Sequence, residues 1–291
     1  MPLKLLKRET GSEFIIEKIL YAKRFSLTLD KARCVGCGIC MDICPKEAIE
    51  FKKVSRGKGK KANPPIVIIN EQKCHYCGIC TSLCPFRALE MMINGEETIP
   101  VIEKGSFPEL IRDITIEADK CEESCVDCEK YCPLNLIKIR FKNRNVDLNI
   151  DKDHCVCCRI CELKCPHDAI RIQKMFFGKI TVNQEKCFKG CHDCIDVCPI
   201  TGTLYLAEDG KVHVNELTCI YCGVCKIVCP ENLALELQRT YIRHTPVHSG
   251  AWNKALEKLT SAESMSKELS IKSSAKSWET VKKLIQRRQE A

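Results

Sequence analysis

Residues 34–45 of this 291-residue chain read CVGCGICMDICP, four cysteines separated by two, two and three residues and followed by proline. Runs of this kind occur six times and account for 24 of the 25 cysteines, and every run ends in Cys-Pro. The first, second, fourth and sixth runs share this spacing, whereas the third and fifth have one extra residue between their first two cysteines. The runs consist of Cys34, Cys37, Cys40 and Cys44; Cys74, Cys77, Cys80 and Cys84; Cys121, Cys125, Cys128 and Cys132; Cys155, Cys158, Cys161 and Cys165; Cys187, Cys191, Cys194 and Cys198; and Cys219, Cys222, Cys225 and Cys229.

The spacing of these cysteines indicates [4Fe–4S] clusters. A cubane cluster presents four iron corners to soft thiolates, and the pattern C-x2-C-x2-C-x3-C-P is that of bacterial ferredoxins. Zinc sites use two separated cysteine pairs and fit these runs poorly. Disulfides fit poorly too, because the cysteine count is odd and the N-terminus lacks the apolar stretch of a secretory signal. We therefore expect six [4Fe–4S] clusters, a reducing cytoplasmic location and no transmembrane segment.

The fourth cysteine of each run is expected to ligate the cluster of its partner run, as in two-cluster ferredoxins. Pairing first with second, third with fourth and fifth with sixth leaves no run unpartnered. We name each site after the run that supplies its first three cysteines. The predicted ligand groups, from the first site to the sixth, are Cys34, Cys37, Cys40 and Cys84; Cys74, Cys77, Cys80 and Cys44; Cys121, Cys125, Cys128 and Cys165; Cys155, Cys158, Cys161 and Cys132; Cys187, Cys191, Cys194 and Cys229; and Cys219, Cys222, Cys225 and Cys198.

Short stretches of alternating polar and apolar residues flank every run, such as FSLTLDKARC before the first and HDAIRIQ after the fourth. This period of two predicts a strand, a cluster loop, a short helical turn and a second strand in each repeat. The predicted fold is α+β, with three tandem 2[4Fe–4S] ferredoxin-like units and a short helical tail. The predicted boundaries are 1–25 for an N-terminal extension, 26–106, 107–177 and 178–242 for the units, and 243–291 for the tail.

Several residues depart from the repeat. Cys157 lies between two predicted ligands and is expected to be a small buried hydrophobe without a redox role, the alternative being ligand exchange after oxidative damage. Glycine follows the second cysteine in three runs, but Val126, Arg159 and His192 take that place in the third, fourth and fifth. We therefore expect the three middle loops to differ in shape from the end loops. Nearby histidines are expected to tune clusters and not to ligate iron, and they are His154, His167 and His192.

The positive charge of the chain does not point to nucleic acid. The formal net charge is +8, but six oxidised clusters at about −2 each would bring the holoprotein to roughly −4. The local run KKVSRGKGKK at residues 52–61 is predicted to be either a solvated loop or a docking patch for an acidic electron carrier.

Two amphipathic helices are predicted in the tail. Trp252, Leu256 and Leu259 fall at helical spacing after Ser249, a residue suited to cap a helix, and a second set follows further on. That second set consists of Trp278, Val281, Leu284 and Ile285. Such helices either dock on a partner subunit or fold back on the last unit.

The six runs, over residues 34–230, resemble the polyferredoxins of methanogenic archaea, and the stretch SGAWNKALEKL at residues 249–259 looks most like the polyferredoxin subunit of formylmethanofuran dehydrogenase. Members of that family often carry eight clusters. The resemblance implies a non-catalytic electron-transfer subunit in an anaerobic cytoplasm. It also implies a tungsten or molybdenum pterin partner, other iron–sulfur carriers and delivery of electrons for carbon dioxide reduction. A hydrogenase-associated polyferredoxin and a free soluble carrier are the alternatives.

Overall fold

The computed structural model describes residues 4–52, 54, 61–142, 145–231 and 234–260. The described chain is a mixture of short strands and very short helices, which confirms the predicted combination of α and β structure. The strands are β1 (Lys4–Glu9), β2 (Glu13–Ile19), β3 (Arg24–Asp30), β4 (Ile49–Lys52), β5 (Ile66–Ile69), β6 (Leu89–Ile93), β7 (Glu96–Glu97), β8 (Ile114–Ile116), β9 (Ile137–Lys142), β10 (Asn145–Ile150), β11 (Ile170–Ile172), β12 (Phe176–Val182), β13 (Leu204–Leu206), β14 (Val212–Val214) and β15 (Leu235–Ile242). The helices are α1 (Ile39–Ile43), α2 (Ile79–Ser82), α3 (Pro100–Glu103), α4 (Asp127–Tyr131), α5 (Ile160–Lys164), α6 (Asp193–Asp196), α7 (Val224–Val228) and α8 (Gly250–Thr260).

The strands that flank the cysteine runs pair in a nested, antiparallel manner. β3 pairs with β6 around the β4–β5 pair, β8 pairs with β11 around β9–β10, and β12 pairs with β15 around β13–β14. The helix inside each run packs against the helix of the neighbouring run, as α1 does with α2, α4 with α5 and α6 with α7. This topology places the cysteines of two consecutive runs side by side. Every flanking stretch that the period of two assigned to a strand contains one.

The N-terminal residues form structure that the sequence analysis left unassigned. β1 and β2 extend the sheet whose strand order is β1-β2-β3-β6-β7. Phe14 and Ile16 on β2 point into the core, and both side chains are almost fully buried. Glu17, on the opposite face of β2, is also buried and is paired with Arg8 at 2.7 Å and Arg24 at 2.6 Å. The extension therefore adds two strands to the edge of the first sheet, where apolar burial and a charged cluster hold it.

The first predicted tail helix is present as α8, and it packs against α1 and β15. Its Trp252 is only 2% exposed and makes edge-to-face contacts with Phe107, at a centroid distance of 5.9 Å, and with His244, at 4.7 Å. Because the chain itself covers this apolar face, the structure favours the alternative in which the helix folds back. The second predicted helix and most of the basic run at 52–61 lie outside the described residues.

The lengths of the described helices bear on whether any of them could cross a membrane. The longest described helix, α8, has 11 residues, and none of the helices in the described ranges combines the length and apolar character needed to cross a bilayer.

Candidate iron–sulfur sites

A polar residue four positions ahead of the first cysteine shapes the entry into five of the six loops. In four of these, its side-chain oxygen accepts a hydrogen bond from the backbone N–H two residues on, which is the geometry of an Asx turn. The distances are 2.8 Å from Ala32 to Asp30, 2.9 Å from Gln72 to Asn70, 3.0 Å from Glu185 to Asn183 and 3.1 Å from Leu217 to Asn215. Asp151 accepts from the His154 N–H instead, at 3.3 Å. The third run is preceded by a 3-10 turn at Ala118–Lys120.

Left-handed backbone conformations recur inside four of the loops. The second residue after the first cysteine has a positive φ of 68° at Gly36, 53° at Tyr76, 55° at Cys157 and 51° at Tyr221. The residue after the second cysteine also has a positive φ, with values of 88° at Gly38, 83° at Gly78, 69° at Arg159 and 99° at Gly223. These turns aim backbone N–H groups at sulfur, as from Tyr221 to Cys219 Sγ at 3.4 Å. The first, second, fourth and sixth loops are therefore copies of one shape.

The expectation that the fourth loop would differ from the end loops was wrong. Arg159 adopts the conformation that glycine takes elsewhere, and its guanidinium binds Glu162 through two hydrogen bonds of 2.7 and 3.2 Å. This local ion pair holds a non-glycine residue in the left-handed region. The expectation was right for the third and fifth loops, where Val126 and His192 have φ values of −124° and −133°. Their positive φ occurs in the lengthened segment, at Ser124 and Gly190.

A second repeated turn orients the fourth cysteine in the first four runs. The third residue after that cysteine has a positive φ, and the following N–H then faces the sulfur. The N–H···Sγ distances are 3.4 Å from Ala48 to Cys44, 3.4 Å from Ala88 to Cys84, 3.4 Å from Leu136 to Cys132 and 3.3 Å from Ala169 to Cys165. N–H groups aimed at sulfur stabilise the negative charge of a ligating thiolate.

The structure brings together each of the six predicted groups of four thiols. Burial is the main cause that raises the pKa of the third cysteine of each run, and thiols of the same predicted group raise it further. Cys40 shows this with Cys37, Cys84 and Cys34. The same relation holds within the other groups, through Cys80, Cys128, Cys161, Cys194 and Cys225. Each fourth cysteine lies with the partner run, as the pairing predicts, and ligation by these groups stays a prediction.

The thiol groups fit a cluster in their surroundings as well as in number. The groups of the second, fourth, fifth and sixth sites each line an enclosed cavity with largely apolar walls. At the second site, Leu27, Ile69 and Met91 stand beside the four cysteines. Burying several thiolates among such side chains is costly unless a cation compensates them. Iron is a cation that thiolates bind well, and a [4Fe–4S] cluster held there would supply one-electron chemistry.

Cys157 belongs to none of the groups. Its side chain is fully buried, and its backbone N–H donates to Cys155 Sγ at 3.5 Å. The side chains of Cys157 and Cys155 form a hydrogen bond, and this bond raises the pKa of Cys157 and lowers that of Cys155. Cys157 therefore stays a neutral thiol next to a predicted ligand, which agrees with the expected role as a small buried hydrophobe.

The three histidines singled out in the sequence analysis have carboxylate partners. His154 Nδ1 lies 2.7 Å from Asp151, His192 Nδ1 lies 3.2 Å from Asp196, and His167 Nδ1 lies 3.8 Å from Glu122. The expectation that they do not ligate iron remains a prediction.

Comparisons with known proteins agree with this chemistry. Residues 33–88 and 179–230 each match a 4Fe-4S dicluster domain family, and these matches pair the first run with the second and the fifth with the sixth. The polyferredoxin-like subunit of aliphatic sulfonate oxidoreductase from Pyrococcus furiosus is 33% identical over 93 residues, which is 28% of this chain and 52% of that protein. The polyferredoxin protein MvhB from Methanothermus fervidus is 33% identical over 107 residues, 34% of this chain and 23% of that protein. The chain thus spans about half or less of the length of these curated relatives.

A solved structure extends the likeness to nearly the whole chain. One chain of the formate dehydrogenase–heterodisulfide reductase–formylmethanofuran dehydrogenase complex from Methanospirillum hungatei superimposes with a TM-score of 0.79 and 33% identity, covering 89% of this chain and 92% of that one. With the cysteine runs, the dicluster domains and the polyferredoxin relatives, this likeness shows that the chain belongs to the polyferredoxins of methanogenic archaea.

Proposed function

We propose that this protein is a non-catalytic electron-transfer subunit that carries six [4Fe–4S] clusters in three two-cluster units. The observation that carries the proposal is the presence of six groups of four convergent thiols, each formed by two consecutive runs. Buried clusters at neighbouring sites pass electrons one at a time between distant partners. The nested strand pairs support three units, since each encloses both runs of one pair.

We expect about 24 iron and 24 acid-labile sulfide per chain, because each of the six thiol groups has the four ligands that a [4Fe–4S] cluster needs. The measurement is metal and sulfide analysis of protein prepared without oxygen. Reproducible zinc, or about half of that iron, would contradict the proposal.

The specific complex is the finer part of the proposal. We place the chain in a formylmethanofuran dehydrogenase, with a tungsten or molybdenum pterin subunit as the electron-consuming partner in carbon dioxide reduction. The structural likeness to a chain of a complex with that component supports this placement. The matched complex also contains formate dehydrogenase and heterodisulfide reductase, so the partner itself must be identified by experiment.

Co-purification tests the placement. An affinity-tagged chain, isolated anaerobically from its native cells and resolved by size, is expected to bring down a pterin-containing subunit and to elute far above the 33.0 kDa of the monomer. A hydrogenase as the recovered partner, or a cluster-loaded monomer alone, would contradict it.

A further inference from the structure

Three of the six sites lie next to one another. The first and sixth loops touch, because a Cβ added at Gly38 would stand 3.0 Å from the side chain of Ile227 and one added at Gly223 would stand 3.5 Å from the carbonyl oxygen of Cys37. The fourth site reaches the other two through side chains described below. We call the first, fourth and sixth the inner sites, and the second, third and fifth the outer sites. A cationic side chain stands at each of the three contacts between inner sites; those of Arg239 and Lys174 are buried and that of Arg112 is half-buried.

Arg239 on β15 occupies the contact between the first and sixth sites. Only 6% of this residue is exposed. Its Nε donates to the carbonyl of Tyr221 at 2.9 Å and its Nη2 to the carbonyl of Cys222 at 2.7 Å. A Cβ added at Gly223 would stand 3.2 Å from that Nη2 and 3.5 Å from the carbonyl oxygen of Cys37. The guanidinium therefore lies against the cysteine loops of both sites.

Arg112 occupies the contact between the first and fourth sites. Its Nε donates to the carbonyl of Cys155 at 3.1 Å, and its Nη2 donates to the carbonyl of Pro85, the residue after Cys84, at 3.2 Å. Burial lowers the pKa of Arg112, and the thiols of Cys157, Cys84 and Cys155 oppose that effect. The side chain of Arg112 therefore interacts with residues of both the first and the fourth sites.

Lys174 occupies the contact between the fourth and sixth sites, and it is 8% exposed. Its Nζ donates to the carbonyl of Glu216 and lies 5.0 Å from the centroid of the Tyr221 ring. Burial lowers the pKa of Lys174, and Arg159 lowers it further, whereas Cys219 of the sixth site, the carboxylate of Glu216 and Cys158 of the fourth site raise it.

None of these cations forms an ion pair with a carboxylate in the part of the chain that the structure describes; their hydrogen bonds go to backbone carbonyls. Their charge is therefore not neutralised by direct contact with a carboxylate in the described residues, and it can act on a cluster held at either neighbouring site. A buried positive charge is weakly screened, and it favours the reduced, more negative cluster. We propose that three cations, Arg112, Lys174 and Arg239, hold the inner clusters at higher reduction potentials than the outer clusters. Electrons that enter at any outer site then collect at the inner sites.

This inference rests on the proposed function, and its test separates the two. The complete protein, shown first to contain about 24 iron per chain, is titrated anaerobically with a reductant while cluster spins are counted by EPR. Arg239→Gln is expected to shift the reduction equilibrium of the two clusters beside it at least tenfold towards the oxidised state, about 59 mV for one electron. Arg239→Lys, which keeps the charge but not the fork of hydrogen bonds, is expected to restore most of the potential.

Exposed Arg171 on β11 provides the matched control, and Arg171→Gln is expected to leave every potential unchanged. Unchanged potentials in Arg239→Gln at full iron content would overturn the inference, as would Arg239→Lys behaving like Arg239→Gln, since the effect would then be structural. If Arg239→Gln loses iron, the same titration of Lys174→Met decides, and unshifted potentials there overturn the inference. Too little iron in the unchanged protein would contradict the proposed function itself.

Discussion

Replacing Cys158 with serine is expected to lower the iron content by about four per chain and to remove or alter one cluster signal. The thiol of Cys158 lies in the fourth site, where burial first and then Cys155 and Cys132 raise its pKa. It is only 8% exposed, so the loss would also leave a buried site without its metal. Iron analysis and EPR of the anaerobically prepared variant provide the measurement.

The neighbouring residue is the matched control. Cys157→Ser is expected to leave iron content and cluster spectra unchanged, because Cys157 lies outside every predicted ligand group. The two thiols are adjacent in sequence and similarly buried, so general damage to the loop would affect both variants. Iron loss from Cys157→Ser with retention in Cys158→Ser would show that the assigned register is wrong.

Replacing Trp252 with alanine is expected to destabilise the protein by about 3–5 kcal/mol, the usual cost of deleting a large buried aromatic side chain. Trp252 joins α8 to the rest of the chain through Phe107 and His244, and its removal would leave a cavity between them. The measurement is the denaturant concentration at which cluster absorbance and far-UV circular dichroism are lost under anaerobic conditions.

Two further variants serve as controls for the loss of stability. Trp252→Phe retains a ring and is expected to lose much less stability, and Lys254→Ala, on the exposed face of α8, is expected to change it little. If Trp252→Ala kept full stability but no longer co-purified with large subunits, the residue would be a docking anchor and its burial in the isolated chain would be misleading.

The parts of the structure that follow from local chemistry were predictable from sequence. Alternation of polar and apolar residues located the strands on both sides of the runs, since a half-buried strand has no other simple pattern. The cysteine groups followed from the ferredoxin rule that the fourth cysteine ligates the cluster of the partner run, since pairing consecutive runs leaves no run unpartnered. The Asx turns use a polar residue four positions ahead of the first cysteine, a feature that can be read directly from the sequence ahead of most runs.

Features that depend on particular side-chain pairs or on distant contacts were not predictable. Arg159 carries a side chain at a position where three other runs have glycine, and only its pairing with Glu162 shows why the loop shape survives. β1 and β2 form because β2 pairs with β3 at the edge of the first sheet, and no periodicity in residues 1–25 identifies that partner. The cations between the inner sites are hidden for the same reason. Arg112, Lys174 and Arg239 lie far apart in the chain, and none is part of a cysteine run.

The nested strand pairing also affects how the protein is made. Cys34 leaves the ribosome 50 residues before Cys84, the residue predicted to complete its site. Cys40, the third thiol of that site, precedes Cys84 by 44 residues, so at about 5–20 residues per second the nascent chain spends roughly 2–9 s with three thiols of that site and no fourth. The outer strands of the pair cannot close during this interval either, because β6 follows Cys84. Each predicted two-cluster unit therefore exposes incomplete thiol groups during translation, and we expect these thiols to need protection from oxidation until the fold shields them.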